Sequence, residues 1–254
     1  MYTNNIHTKH EPKAAEALQA AIVTARHGRG APKREQQAGR IDRRRLHRVA
    51  VADNRVFTAR TAPAPQKVRV TILVDASSSM TGYASRDDYY SNTGKSLASL
   101  AAQTCRNLAE ATEHLEWVTA DAVAFTTGYG GVPMYNLWKS GEAPEQIGQR
   151  FNRIHMGGTE EGYALAFAAD EMKEHLEAGE KALVIIISDG APGEPAHVKW
   201  VVDEMRREDI AVVSVALVES AQQPKMYGKS NVIAYSASAK KLARDMAKAI
   251  GRSL

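Results

Sequence analysis

A carboxylate and two hydroxyls stand at alternate positions after an apolar run. Asp75, Ser77 and Ser79 follow the segment 68–74, which is rich in Val, Ile and Leu. The Asp-x-Ser-x-Ser spacing can turn three side-chain oxygens toward one point. Hard oxygen ligands suit a hard cation such as Mg²⁺ or Mn²⁺. The stretch therefore predicts part of a metal site; the alternative is a serine-rich turn that binds no ion.

Two later stretches supply further oxygens of the same kind. Thr159 lies in the glycine-rich stretch MGGTEEG (156–162), and Asp189 lies in ALVIIISDGAP (182–192), at the end of an apolar run. Together these stretches predict a set of five oxygen ligands from three loops. The candidate metal ligands are Asp75, Ser77, Ser79, Thr159 and Asp189.

The residues that flank Thr159 are expected to support the site without joining it. Gly157 and Gly158 would let the backbone approach an ion closely. Glu160 and Glu161 should fall in the first turn of a helix, where acidic side chains are favourable whatever their function. A bystander role for these two carboxylates is therefore favoured over coordination.

The candidate ligands need strands that end at one edge of a sheet. The apolar runs 68–74 and 182–187 are typical of buried central strands, and open α/β sheets bind ligands at the carboxyl ends of such strands. Strands alternate with helical patterns through the rest of the chain. This order predicts an α/β fold with a doubly wound, mostly parallel sheet flanked by helices. The segment 132–138 is predicted to be an edge strand because it contains Pro133.

A helix is predicted over 94–112, with Ser91 or Thr93 as its cap. It opens with Gly-Lys-Ser at 94–96, which is how a phosphate-binding loop ends. That loop also requires a glycine where Tyr89 stands, and no buried strand precedes it. Nucleotide binding is therefore not expected.

Composition limits the class of protein. The 254 residues are 44% hydrophobic, which is ordinary for a globular chain. No apolar run approaches the roughly 18–20 residues that a membrane span needs, and the first residues have no apolar core typical of a secretory signal. Cys105 is the single cysteine, so no disulfide framework can form. These features predict a cytoplasmic protein that does not enter a membrane.

The charge is unevenly distributed along the chain. Residues 1–66 carry 13 Lys and Arg against 5 Asp and Glu, whereas 67–254 carry 20 against 24. The first segment is thus +8 and the second −4. We therefore predict a basic, partly helical N-terminal extension over 1–66 and one α/β domain over 67–254. Such an extension suits an acidic protein surface or a nucleic acid, or it is a solvated segment that aids solubility.

Within the extension, residues 1–12 are expected to be disordered and 28–40 to form a loop. The alanine-rich segment 13–27 is predicted to be a helix. Its apolar docking stripe is Leu18, Ile22 and Val23.

The order DxSxS, then Thr, then Asp after an apolar strand resembles the metal-ion-dependent adhesion site (MIDAS) of von Willebrand factor A (VWA) domains. A narrower likeness lies in GRIDRRRLHRVAVADNRVF (39–57) and SDGAP (188–192). Over about residues 38–254 the chain resembles the C-terminal VWA domain of the aerobic cobaltochelatase T subunit. Similar stand-alone VWA proteins in bacteria and tailed phages are paired with MoxR-type AAA+ ATPases.

The resemblance implies how the site would work. Ser77 and Ser79 would bind Mg²⁺ or Mn²⁺ directly, and Thr159 directly or through water. Asp75 and Asp189 would act largely through water or by orienting the hydroxyls. An open position on the ion would then take a carboxylate from a partner protein.

The expected function is that of a non-catalytic, metal-dependent interaction module. It would act as an adaptor or co-subunit of a MoxR-type or chelatase-type AAA+ ATPase and present an unknown client protein. No Ser–His–Asp order, HExxH or paired Cys motif predicts an enzyme. One alternative is a subunit of a cobalt or magnesium chelatase complex. Another is an RNA-associated VWA protein that uses the basic extension, although Phe57 alone offers an aromatic ring among its arginines.

Overall fold

The structure is a computed structural model of the chain. It describes residues 6–27, 32–36, 40–51, 55–60, 67–82 and 96–235, and seven residues within 241–249. The described residues of that last stretch are helical, where the sequence predicts a closing helix. Residues 83–95 lie outside the described residues, and with them the predicted caps Ser91 and Thr93.

The secondary structure follows the predicted alternation from residue 67 onward. The strands are β1 (Pro32–Gln36), β2 (Arg40–Ile41), β3 (Phe57–Arg60), β4 (Val68–Asp75), β5 (Val118–Phe125), β6 (Met134–Lys139), β7 (Lys181–Ser188), β8 (Ile210–Ala216) and β9 (Val232–Ala234). The helices are α1 (Pro12–His27), α2 (Leu97–Glu113), α3 (Gln146–Phe151), α4 (Glu161–His175), α5 (Pro195–Arg207) and α6 (Gln223–Tyr227). Short 3₁₀ helices span Arg43–Val51, Ser78–Thr81 and Lys229–Asn231.

Six strands form one sheet in the order β6-β5-β4-β7-β8-β9. Every neighbouring pair is parallel except β5 and β6, which are antiparallel. β6 is an edge strand and begins directly after Pro133, so both the doubly wound sheet and the edge position of this segment are confirmed. The chain winds outward in one direction from β4 through β5 and in the other from β7 through β8. Neighbouring β4 and β7 are therefore the point where the strand order reverses, which is where open α/β sheets bind ligands.

Two apolar layers cover the two faces of this sheet. On one face β4 packs through Ile72 and Val74 against α1, α2 and α3. On the other face Leu73 packs with residues of α4, α5 and α6. All of β4 except Arg69 is buried, as a strand rich in Val, Ile and Leu predicts. The two layers cover both faces of the sheet around β4, which is one of its inner strands.

The N-terminal helix packs onto the α/β domain. In α1, Leu18 and Ile22 are buried in the same core as the sheet, and Val23 packs against that core. The predicted docking stripe is thereby confirmed. The boundary between a 1–66 extension and a 67–254 domain stays a prediction.

The expected disorder of residues 1–12 is wrong for the part that the structure describes. Ile6 is buried, and its backbone N–H donates to Asn152 Oδ1 at 2.8 Å. The Lys9 N–H donates to Gln103 Oε1 at 2.8 Å. Residues 6–11 therefore lie along α2 and α3, held by side chains far away in sequence. This segment has a single buried isoleucine and no repeating apolar pattern, so its sequence does not indicate that it packs against the domain.

The predicted loop over 28–40 is also wrong in part. β1 and β2 lie within this stretch and pair antiparallel with β3 in a small sheet of order β1-β3-β2. After β2, the 3₁₀ helix Arg43–Val51 exposes Leu46 and Val49, and Ile41 just before it is exposed as well. The basic extension thus presents apolar side chains between its arginines.

Helix α2 begins three residues later than predicted, at Leu97, and its cap is Ser96. The Ser96 side chain accepts a hydrogen bond from the Ser99 N–H at 3.2 Å, as a serine cap does. Cys105 is buried in this helix, as its apolar neighbours indicate. In the described part of the chain no helix combines the length and the apolar character needed to cross a bilayer.

Candidate metal centre

Two aspartates meet at the carboxyl ends of the central strands. Asp75 is the last residue of β4, and Asp189 follows β7, its parallel neighbour. Asp75 is fully buried and Asp189 is 9% exposed. The charge of Asp189 is close enough to add to the raised pKa of Asp75. The sheet thus brings together the two aspartates that the sequence predicts, although they are 114 residues apart.

The Asp-x-Ser-x-Ser loop folds its three side chains together. Asp75 Oδ1 accepts a hydrogen bond from the Ser77 N–H at 2.8 Å, which closes the turn. The Ser77 and Ser79 hydroxyl oxygens lie 2.9 Å apart. Ser77 is buried and Ser79 is exposed, so the pair runs from the interior to the surface. These three predicted ligands are therefore close together and open to solvent on one side.

Backbone hydrogen bonds tie the other predicted loops to this one. The Ser78 N–H donates to the Gly157 carbonyl at 2.7 Å, which joins the serine loop to the glycine loop. The Gly193 N–H donates to the Thr159 carbonyl at 3.3 Å, which joins the glycine loop to the loop of Asp189. Thr159 therefore stands between the other two loops, half-buried, two residues before α4 begins.

Gly157 packs closely against the backbone of Thr127. The sequence predicts instead that this glycine lets the backbone approach an ion. A Cβ atom at this position would lie 1.9 Å from the Thr127 carbonyl oxygen. The Gly157 N–H donates to Thr126 Oγ1 at 2.8 Å, and the Thr127 N–H donates to the Gly158 carbonyl at 3.0 Å. Only glycine allows this contact, which locks the Thr159 loop onto the end of β5.

The donor set fits a hard cation. Asp75 Oδ2 is buried and has no hydrogen-bond partner in the described structure. Asp189 accepts from the Ala191 N–H through Oδ1 at 3.1 Å. No group of three His, Cys, Asp or Glu side chains within the described ranges lies together as a metal-binding cluster. A cation here would therefore depend on the hydroxyls as well as on Asp75 and Asp189, as the predicted set requires.

Glu161 is the residue that sequence reasoning undervalued. It is the first residue of α4 and only 1% exposed. Tyr227, at the end of α6, donates its hydroxyl hydrogen to Glu161 Oε1, while Glu161 Oε2 is buried with no hydrogen-bond partner among the described residues. Beside it, Gln223 donates to Ser188 Oγ at 3.4 Å. A buried acidic side chain with an incomplete set of partners thus lies two residues after Thr159.

Burial sets the electrostatics of these carboxyls. It raises the pKa of Asp75 from 3.8 to about 7, although hydrogen bonds from Ser77 oppose the shift and the charges of Asp189 and Glu161 add to it. Burial likewise raises the pKa of Glu161 from 4.5 to about 7, against hydrogen bonds from Tyr227 and Ser188. Without a cation, burial therefore opposes the ionisation of both carboxyls up to about pH 7.

The raised pKa values predict that the metal-free chain loses stability as the pH rises. Between about pH 4 and pH 7 the folded chain binds protons at Asp75 and Glu161 that the unfolded chain has released. The free energy of unfolding should then fall by about 2 kcal/mol for each carboxyl between about pH 5.5 and pH 8. Urea unfolding in EDTA measures this slope. The double variant Asp75→Asn, Glu161→Gln should flatten it, and an unchanged slope would contradict the assignment.

Comparisons with solved structures show the fold. The pilus adhesin SpaC from Lactobacillus rhamnosus GG is similar with a TM-score of 0.55 at 15% identity, over 73% of this chain and 31% of the adhesin. The SpRpn10 VWA domain has a TM-score of 0.51 at 11% identity, over 69% of this chain and 93% of that domain. Proximal thread matrix protein 1 from the mussel byssus, with zinc in its MIDAS motif, has a TM-score of 0.51 at 14% identity, over 73% of this chain and 46% of the byssus protein.

The aligned part of the chain thus spans about a third of the adhesin and about half of the byssus protein. No family model matches the sequence, and no curated protein matches it either. At these identities the likeness carries the fold alone. The six-stranded, mostly parallel sheet, with Asp75 and Asp189 where its strand order reverses, has the fold of a VWA domain.

Proposed function

We propose that this protein is a metal-dependent protein-interaction module. Asp75, Ser77, Ser79, Thr159 and Asp189 would hold one divalent cation, Mg²⁺ or Mn²⁺. The observation that carries this proposal is the buried, unpartnered Asp75 Oδ2 beside the paired hydroxyls of Ser77 and Ser79. A zinc-occupied MIDAS in a protein of similar fold supports a divalent cation at this edge of the sheet.

The ligand set explains why a bound cation would attract a partner. Ser77, Ser79 and Thr159 contribute neutral oxygens, so the charge of the ion is offset by few carboxylates. The bound cation would supply an electrophilic centre that accepts a carboxylate from another protein. Ser79 is exposed, and the loop therefore opens toward solvent on the side that a partner can reach.

An aromatic surface beside the metal loops supports a protein ligand. It consists of Tyr163 and Phe167 on α4 and His197 and Trp200 on α5. The Tyr163 and His197 rings meet edge to face with their centroids 4.7 Å apart, and His197 stacks on Trp200 at 6.1 Å. Trp200 is 61% exposed and Tyr163 57%. Exposed Trp and Tyr side chains commonly provide much of the binding free energy in protein interfaces, and this surface begins four residues after Thr159.

We propose further that the partner is a MoxR-type or chelatase-type AAA+ ATPase. The chain would serve as its adaptor in the cytoplasm and would present a client protein to it. The support is the sequence resemblance over residues 38–254, together with the exposed Leu46 and Val49 between the arginines of the basic extension. A surface of mixed apolar and basic side chains suits an acidic protein face better than a nucleic-acid backbone, which needs charge alone.

Co-purification from the native host tests this proposal. Tagged wild-type chain is recovered with Mg²⁺ or with EDTA and compared with Asp75→Asn. We expect an AAA+ ATPase to be retained by the wild type with Mg²⁺ and lost in EDTA and in the variant. Recovery that neither EDTA nor the variant alters would contradict a metal-mediated contact. Recovery of RNA or of a large chelatase subunit instead would favour the corresponding alternative.

A further inference from the structure

We propose that Glu161 is a third carboxylate of the metal centre, which strengthens cation binding by its charge without contacting the ion. The inference depends on the metal site of the proposed function and deepens it. It starts from the burial of Glu161, which is 1% exposed. An acidic side chain is almost never buried to this extent unless something compensates its charge.

The described residues compensate Glu161 only in part. Oε1 accepts a hydrogen bond from the Tyr227 hydroxyl, and the N-terminus of α4 contributes a small favourable dipole. Oε2 is buried and has no hydrogen-bond partner among the described residues. No Lys, Arg or His side chain within the described ranges forms an ion pair with Glu161. The side chains that favour its charged form, Tyr227 and Ser188, are neutral hydroxyls. One oxygen therefore remains free to interact with a positive charge.

The metal-site aspartates, Asp75 and Asp189, are the neighbouring carboxylates that would interact with the same cation. Glu161 is two residues after Thr159, whose loop is joined to the Asp189 loop by the hydrogen bond from the Gly193 N–H to the Thr159 carbonyl. Its charge adds to the raised pKa of Asp75. The Asp75 oxygen Oδ2 is buried and unpartnered in the same way. Two buried carboxylates with unpartnered oxygens, whose charges affect each other, produce a negative potential near the hydroxyl loop. A divalent cation in the loop would relieve this repulsion at both carboxylates.

The geometry also limits what Glu161 does. The three carboxylates do not lie together as a cluster that could bind one ion directly, within the part of the chain that the structure describes. Glu161 is therefore a positioning residue that acts through space on the ion held by the hydroxyl loop. Removal of such a supporting carboxylate typically weakens metal binding by about 10- to 100-fold.

A purely structural role makes a different prediction. Glutamine at position 161 keeps the side-chain shape and an oxygen that can accept from Tyr227. If Glu161 serves only to hold α4 against α6, Glu161→Gln should leave metal affinity unchanged. If its charge acts on the ion, the same variant should lose affinity while its fold is kept.

Isothermal titration with Mn²⁺ at about pH 8 separates the two roles. We expect Glu161→Gln to bind Mn²⁺ about 10- to 100-fold more weakly than the wild type. Glu160→Gln is the matched control, because Glu160 is the adjacent, half-buried acid. It should stay within about threefold of the wild type. Glu161→Asp, which keeps the charge on a shorter side chain, should bind more tightly than Glu161→Gln and more weakly than the wild type.

The outcomes distinguish this inference from the proposed function. Wild-type binding that Glu161→Gln matches within about threefold would overturn the inference and leave the metal site intact. A wild type that binds no Mn²⁺ would overturn both. If circular dichroism shows that Glu161→Gln is unfolded, Glu161→Met, which is of similar length and carries no charge, decides in its place. Affinity within about threefold of the wild type would then overturn the inference.

Discussion

Asp75→Asn is expected to abolish stabilisation by Mg²⁺ or Mn²⁺ while making the metal-free chain more stable. The amide oxygen can still accept from the Ser77 N–H, as Asp75 Oδ1 does at 2.8 Å. The turn should therefore survive. The buried negative charge is lost, and with it the attraction for a cation. Because burial raises the pKa of Asp75 from 3.8 to about 7, its removal should recover up to about 4 kcal/mol at about pH 8.

Urea unfolding with EDTA and with excess Mn²⁺ measures both effects of this variant. The matched control is Asp121→Asn. Asp121 is a half-buried aspartate of β5 whose pKa burial also raises, and it accepts from Thr71 Oγ1 at 3.0 Å. That variant should change the stability of the metal-free chain and keep the full response to Mn²⁺. A response to Mn²⁺ that Asp75→Asn retains would contradict the assignment of Asp75 to the metal site.

Gly157→Ala is expected to destabilise the chain and to disrupt the metal loops together. The new Cβ would lie 1.9 Å from the Thr127 carbonyl oxygen, so one of the two backbone segments must move. The parallel bridge between Ser77 and Gly157 and the hydrogen bond from the Ser78 N–H would move with it. Overpacking of a rigid backbone contact typically costs about 1–3 kcal/mol, and a contact this short belongs at the upper end.

Gly128→Ala provides the comparison for this substitution. Gly128 lies in the same region, but the nearest atoms to its Cβ would be side-chain carbons of Pro133 at 3.7 and 3.8 Å. That is ordinary contact, so its unfolding free energy and its Mn²⁺ response should be close to those of the wild type. If thermal unfolding shows Gly157→Ala to be as stable as Gly128→Ala, the tight packing of the three loops is not what holds the site.

The sequence predicts the central strands and the candidate ligands together, because the ligands follow directly after strongly apolar segments. β4 and β7 are rich in Val, Ile and Leu, and the polar ligands follow directly where each apolar run ends. This local signal suffices to place Asp75 and Asp189 at the same edge of the sheet. A different local signal, Pro133, suffices to predict that β6 is an edge strand.

The burial of Glu161 could not be predicted from the sequence, for a physical reason. An acidic residue in the first turn of a helix is favourable whether it is buried or exposed, so its type carries no information about the site. Its burial arises from Tyr227, which is 66 residues further along the chain. The strand β1, with the sequence PKREQ, has no β-branched or aromatic residue and forms only through pairing with β3. Ile6 is likewise placed by Asn152, a contact that no local pattern encodes.

The most direct test of the metal site is anomalous X-ray scattering near the manganese absorption edge, from crystals grown with Mn²⁺. We expect one strong peak at the carboxyl ends of β4 and β7, beside the hydroxyls of Ser77 and Ser79, and none there in crystals of Asp75→Asn. Crystals whose only manganese peaks lie elsewhere, or in which Ser77 and Ser79 turn away from the bound ion, would contradict this expectation.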